Sequence, residues 1–162
     1  MIVRDAASAD VPAIVEILNE AIARTNAMFR DTPVEAQERA ALIAERQRAG
    51  FAQLVATVEG GVAGYGGLGP FRPFEGFRTT AEHSIYVREA ARGRGLGALL
   101  LDALEARARA MGLHAMVGGV AHDNAASIAL HARRGFVEVG RMPEIAVKGG
   151  RWQTLVLMQK LL

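Results

Sequence analysis

Apolar side chains return at Val11, Ile14, Val15, Leu18 and Ile22, the three-and-four spacing that lays one stripe along an α-helix. A short strand precedes this helix, and Ser8 or Asp10 is placed to cap it. "DTPVEAQERAALIAERQRAG" predicts a second helix, with Thr32 as N-cap, Pro33 first, Glu35 third and Gly50 closing it. "FAQLVATVEGGVAGYGGLG" predicts two strands about a Glu59-Gly60-Gly61 turn. An irregular "PFRPFEGFRTT" leads to the strand "AEHSIYV", then to a periodic helix from about Gly95 to Met111. "LHAMVGGV" is a strand. "HDNAASIALHARRG" is a helix capped by Asp123 or Asn124 and stopped by Gly135, and "FVEVGRM" and "WQTLVLMQKLL" are closing strands. With no repeat or linker, the order predicts one α/β domain over residues 1–162, helices covering both faces of a single sheet. Met111, Met116 and Met158 fall at core positions of this pattern.

Composition narrows the function more than the fold. The chain is 51% hydrophobic and 22% charged, a globular balance, and long enough for a core without staples. Without cysteine it has no disulfide, thiol nucleophile or Cys-ligated metal. No apolar run reaches ~18 residues and no basic segment leads into one, so a soluble, cytoplasmic protein is expected, with no membrane partner. The basic residues are arginines except Lys148 and Lys160, and no basic tract is interleaved with aromatics, which argues against nucleic acid. His83, His114 and His122 lack metal-ligand spacing and are expected to be structural or solvated, so no metal is expected.

Candidate chemistry concentrates between the strand ending at Val87 and the helix after it, where Gly93, Gly95 and Gly97 alternate with arginine and leucine. A strand, a glycine turn and a helix N-terminus make an anion site, because unpaired N–H groups of the first turn point outward and no Cβ blocks a phosphate. A P-loop fails, since no Lys-Ser or Lys-Thr follows. A dinucleotide fingerprint is a rival: Gly93, Gly95 and Ala98 fit G-x-G-x-x-A and Asp123 ends the next strand, but too little chain follows for several βαβ units.

A third reading accounts for more of the chain. Arg92, Gly95 and Gly97 of "RGRGLG" fit [QR]-x-x-G-x-[GA], the pyrophosphate motif of the GNAT superfamily of N-acyltransferases, and "NAASIALHARRGF" resembles the second motif of that family. "PFRPFEGFRTTAEHSIYV", "GLHAMVGGV" and "KGGRWQTLVLMQ" resemble the phosphinothricin and methionine sulfone/sulfoximine N-acetyltransferase branch, over nearly the whole chain. The resemblance implies a GNAT fold: a single mixed, mostly antiparallel twisted sheet of about six to seven strands flanked by about four helices. It also implies acetyl-CoA as co-substrate and a small amine as acceptor. Backbone groups of Ile85 and Val87 would hold the pantetheine, and the Val87 N–H would face the developing oxyanion. The pyrophosphate would rest on Arg92, Gly93, Arg94, Gly95, Leu96, Gly97 and Ala98, and Asn124 would bond the pantetheine arm.

Three expectations about chemistry follow. Glu82 is the candidate base, through water, or the binder of the substrate amine, burial in a central strand tuning it for the task; otherwise it pairs with Arg72 or Arg78. His131 stands where many superfamily members carry the tyrosine that protonates the thiolate, with Tyr86 as the second candidate acid. The acceptor pocket is expected from "FRPFEGFR" and Phe29: Arg72 or Arg78 for a carboxylate, Glu75 or Glu82 for the amine, and Phe29, Phe71, Phe74 and Phe77 as walls. The same aromatics suit the interface of a homodimer, the common state of the family, with Lys148 to Trp152 reaching across. Two other functions stay open: acetylation of a protein N-terminus or polyamine, and a non-catalytic acyl-CoA or nucleotide-binding module.

Overall fold

The computed structural model describes residues 1–162. Its elements are β1 (Ile2–Asp5), α1 (Val11–Arg24), α2 (Ala36–Arg48), β2 (Gln53–Val58), β3 (Gly61–Pro70), β4 (Thr80–Val87), α3 (Leu96–Ala110), β5 (Ala115–Ala121), α4 (Ala125–Arg133), β6 (Val137–Lys148) and β7 (Arg151–Leu161). The order is the one the apolar pattern predicts. The strands form one sheet, β1-β2-β3-β4-β5-β7-β6. Leu100, Leu101 and Leu104 of α3 pack on one face with Leu54, Met116 and Met158. Ile14, Leu18 and Ile22 of α1 pack on the other with Val55 and Tyr65.

Four local expectations are corrected. Neither Ser8 nor Asp10 caps α1 through its side chain; the Asp10 carboxylate turns back to the Ala7 N–H at 2.8 Å and to Arg4 at 2.6 and 2.8 Å. Thr32 does not cap α2, which starts at Ala36. Asn19 holds Val34 by both its N–H and its carbonyl, and Arg30 takes the carbonyls of Thr32 and Pro33, so this segment stays out of the helix. The strand begun at Val137 runs past Met142 to Lys148, because a bulge with Glu144 at positive φ absorbs Pro143, which has no N–H to donate. Met111 is exposed beyond the end of α3, whereas Met116 and Met158 are buried.

One junction differs from the rest. All neighbouring strands run antiparallel except β4 and β5. That parallel pair is joined only from Thr80↔Ala115 to His83↔Gly118. Beyond it β4 stays with β3 as far as Gly64↔Val87, and β5 stays with β7 as far as Ala121↔Leu155. The sheet therefore opens as a V between Ser84–Val87 and Gly119–Ala121. A single parallel pair is incompatible with a doubly wound dinucleotide fold, and that rival falls.

Candidate active site

The V exposes strand backbone in a cleft. Arg88 N–H donates to Ala63 O at 2.9 Å. By the alternation of an antiparallel ladder, the main-chain groups of Ile85 and Val87 then point away from β3, toward the departed β5. An extended ligand can pair there as an added strand. The cleft encloses about 490 Å³, and its lining includes Ile85, Val87, Gly118, Asn124, Leu130 and His131.

The glycine loop closes its open end. Gly95 precedes α3 at φ +84°, and an added Cβ would meet nothing within 4 Å, so the backbone faces open space. Leu99 is the first residue of the helix to bond back, to Gly95 O at 3.0 Å, leaving the N–H groups of Leu96, Gly97 and Ala98 free. Arg92, Gly93, Gly95, Leu96, Gly97 and Ala98 line the cleft, while Arg94 does not. Arg133, which the sequence reading passed over, adds a second cation to the lining. Asn124 caps α4, its Oδ1 accepting from Ser127 N–H at 3.1 Å, and its amide nitrogen has no protein partner.

At the apex of the V, His83 Nε2 lies 2.9 Å from His131 Nε2. An added Cβ on Gly118 would come within 2.8 Å of His83 Cε1 and 3.1 Å of His131 Nε2, so only glycine leaves room for the pair. His131 Nδ1 is 2.7 Å from Ser127 O, which can only accept, so the proton of a neutral His131 sits there. His131 Nε2 must then accept from His83 Nε2–H, and His83 Nδ1 is left buried without a partner. His83 is structural, as its lack of metal-ligand spacing suggests, but its pairing is not legible in the sequence: residues 48 apart meet only because β4 and α4 share the apex.

The opposite face of the V carries Glu82. It is exposed, not buried as expected, because its carboxylate projects from the sheet beside the uncovered lip at Gly119. An added Cβ on Gly119 would stand 3.9 Å from Glu82 Oε1. Two compact cavities of about 290 and 280 Å³ meet at Glu82, Tyr86 and Gly119. Phe29 lines the first, as expected. Desolvation pushes the Tyr86 phenol up to about 12, so it keeps its proton.

The loop residues expected to clamp the acceptor do not line these cavities within a single chain. Arg72 stacks 4.3 Å over the Phe71 ring and donates to Phe71 O, and Arg78 donates to Glu75 O at 3.2 Å. Phe71 meets Phe77 edge-on at 5.7 Å, and Phe74 is 73% exposed. Arg72, Phe74, Glu75, Phe77 and Arg78 line neither cavity, since a 3-10 turn at Glu75–Phe77 folds the loop on itself. Glu82 forms no ion pair with Arg72 or Arg78 within the chain. His114 and His122 are exposed.

A strand-splayed cleft ending on a glycine-led helix N-terminus defines an acyl-CoA-dependent acyltransferase, and the chain belongs to the acetyltransferase (GNAT) family, whose pattern it matches over residues 14–136. It is 51% identical over 158 residues, 97% of this chain and 92% of the relative, to the L-methionine sulfoximine/L-methionine sulfone acetyltransferase of Pseudomonas aeruginosa. Among solved structures it matches yncA from Salmonella typhimurium with its cofactor acetyl-CoA at TM-score 0.97 and 45% identity, over 100% of this chain and 94% of that one. It matches the ribosomal-protein-alanine N-acetyltransferase of Brucella melitensis at TM-score 0.98 and 45% identity, over 100% of each. The resemblance and fold class read from the sequence are both borne out.

Proposed function

We propose that this enzyme transfers acetyl from acetyl-CoA to the α-amine of a small amino acid of the methionine sulfone, methionine sulfoximine or phosphinothricin type. The observation that carries this reading is the pair of compact cavities meeting at Glu82, on the face of the V opposite the histidine pair. Acetyl-CoA supplies an activated thioester. The free backbone groups of Ile85 and Val87 and the free N–H groups from Leu96 to Ala98 fit its extended, phosphate-bearing shape. The Val87 N–H stabilises the oxyanion, Asn124 orients the pantetheine, and Arg92 and Arg133 neutralise phosphate charge. Arg94, outside the lining, contributes at most from the rim.

Glu82 binds the incoming ammonium and takes its proton, directly or through water. Tyr86, protonated and bordering both the cleft and the Glu82 cavities, is the better donor to the leaving thiolate. His131 has its one neutral proton committed to Ser127 O. We assign the histidine pair to shaping the apex of the cleft.

We also propose a homodimer. Val137, Val139, Ile145, Val147 and Trp152 stand exposed on the outer β6–β7 hairpin, an apolar edge that a second copy would cover, and light scattering measures this directly. No helix is long and apolar enough to cross a membrane, and a cytoplasmic location goes with the use of acetyl-CoA.

The name of the Brucella relative keeps a protein N-terminus as the second reading. A thiol-release assay decides between them. Methionine sulfone, methionine sulfoximine and phosphinothricin are expected to turn over faster than methionine, and faster than a peptide beginning with alanine. Preference for the peptide would overturn the small-acceptor reading. Absence of turnover with any amine would leave a binding module.

A further inference from the structure

Two guanidinium groups on α2 face the Glu82 side of the V without an anionic partner. Arg39 is 9% exposed, its Nε has no hydrogen-bond partner, and it joins no ion pair. Arg46, half-buried, is likewise unpaired, and its guanidinium lies where a Cβ on Gly69 would come within 2.8 Å of Cζ. Gly69 is the cross-strand neighbour of Glu82. Even so, Glu82 pairs with neither arginine. Arginines at the solvent surface, such as Arg24, Arg107 and Arg134, do have carboxylate partners. A buried cation without one is costly to keep, and the cost is recovered when an anion arrives.

The space beside these groups has the shape of a zwitterion's binding site. Arg39, Arg46, Ser84 and Tyr86 line one cavity. Met28, Phe29 and Leu155 line the other. Glu82, Tyr86 and Gly119 are common to both, and Gly119 also borders the cofactor cleft.

We propose that Arg39 and Arg46 form the carboxylate subsite of the acceptor. The α-carboxylate enters the α2-side cavity, the side chain enters the cavity walled by Met28 and Phe29, and the amine lies at their junction beside Glu82. This rests on the reading of the acceptor as a free α-amino acid. Arg39, Arg46 and Glu82 are unpaired within the chain; an added α-carboxylate can be shared by the two guanidinium groups, and an added ammonium meets Glu82. The α-carboxamide is isosteric with the acid but brings no negative charge to the two guanidinium groups, so the site discriminates by charge.

The experiment measures kcat/KM for an amino acid and for its α-carboxamide in wild type, Arg39→Met and Arg46→Met. The amino acid used is whichever free amino acid turns over fastest. Failure of methionine sulfone as that amino acid would therefore count against the acceptor assignment and not against the subsite. The acid-to-amide ratio is expected at about tenfold or more in wild type and near one in Arg39→Met, with a smaller fall in Arg46→Met. Melting supplies the second readout. Unliganded Arg39→Met should melt at or above wild type, because an unpaired buried charge has been replaced by an apolar chain of similar length. Saturating amino acid should raise the melting temperature of wild type and not of the variant. Three results would overturn the subsite: a wild-type ratio near one, a ratio that survives in Arg39→Met, or a ratio lost in Arg72→Ala or Arg78→Ala but kept in Arg39→Met.

Discussion

His83 and His131 share one hydrogen bond, Nε2 to Nε2 at 2.9 Å, and both are held neutral by burial. Desolvation, and after it the neighbouring His131, brings His83 down to about 3. Unfolded, each ring would take up a proton below ~6.5. The folded state binds fewer protons across that range, so stability is full above ~6.5 and is lost as pH falls toward 3. For His83 alone the loss at pH 5 is ~2 kcal/mol. Melting curves at pH 7.5 and 5.0 should show a larger drop for wild type than for His83→Gln. Equal drops would mean that the pair carries a proton in the fold.

The tautomer also predicts which residue protonates the thiolate. Tyr86→Phe should lower kcat by about 100-fold or more, the usual worth of general acid catalysis, with the acetyl-CoA KM little changed. His131→Gln should cost less than Tyr86→Phe. The reverse order in kcat would return the acid role to His131.

At the glycine loop, Gly95→Val puts a β-branched side chain at φ +84° and into the space the phosphates need. Strain should cost ~1–2 kcal/mol of stability while the fold is kept. The KM for acetyl-CoA should rise by about tenfold or more, since the helix N-terminus loses its approach. An unchanged KM would place the phosphates elsewhere.

Glu82→Gln keeps the shape and removes the base. Turnover should fall most at low pH, where the acceptor amine is most fully protonated and needs a proton acceptor, by ~100-fold for a true general base. If only the amine KM rises and kcat holds, Glu82 binds the ammonium and water takes the proton.

Lys148 ties the C-terminal hairpin to the wall of the cavity lined by Met28 and Phe29. It is buried, with Nζ donating to Thr25 O at 2.6 Å and Met28 O at 2.8 Å, while Gly149 N–H reaches Asp31 Oδ1 at 2.9 Å. Lys148→Met should destabilise by ~1–3 kcal/mol through the two abandoned carbonyls. It should also raise the amine KM several-fold through looser placement of Met28 and Phe29, measured against the acetyl-CoA KM, which should move much less. Parallel changes in both constants would argue against a specific effect on the acceptor side.

The order of elements and the glycine loop at the mouth of the cleft are legible in the sequence. Those features are local: a helix is written in three-and-four spacing, and a phosphate loop in glycines just before a helix, so Gly93, Gly95 and Gly97 could be read without knowing any neighbour. The start of α2 was misread because Asn19 and Arg30 hold residues 32–34 from outside the segment. Which side chains gather around Glu82 is visible only in the tertiary structure. A loop dense in phenylalanine and arginine resembled a clamp, yet it spends its hydrogen bonds on itself, while Arg39 and Arg46, ordinary in a helix of mixed charge, turn into a cavity beside Glu82. The histidine pair was hidden for the same reason. Whether a polar side chain is paired, orphaned or aimed at a ligand depends on what the fold brings within ~3 Å of it, and that distance is not written along the chain.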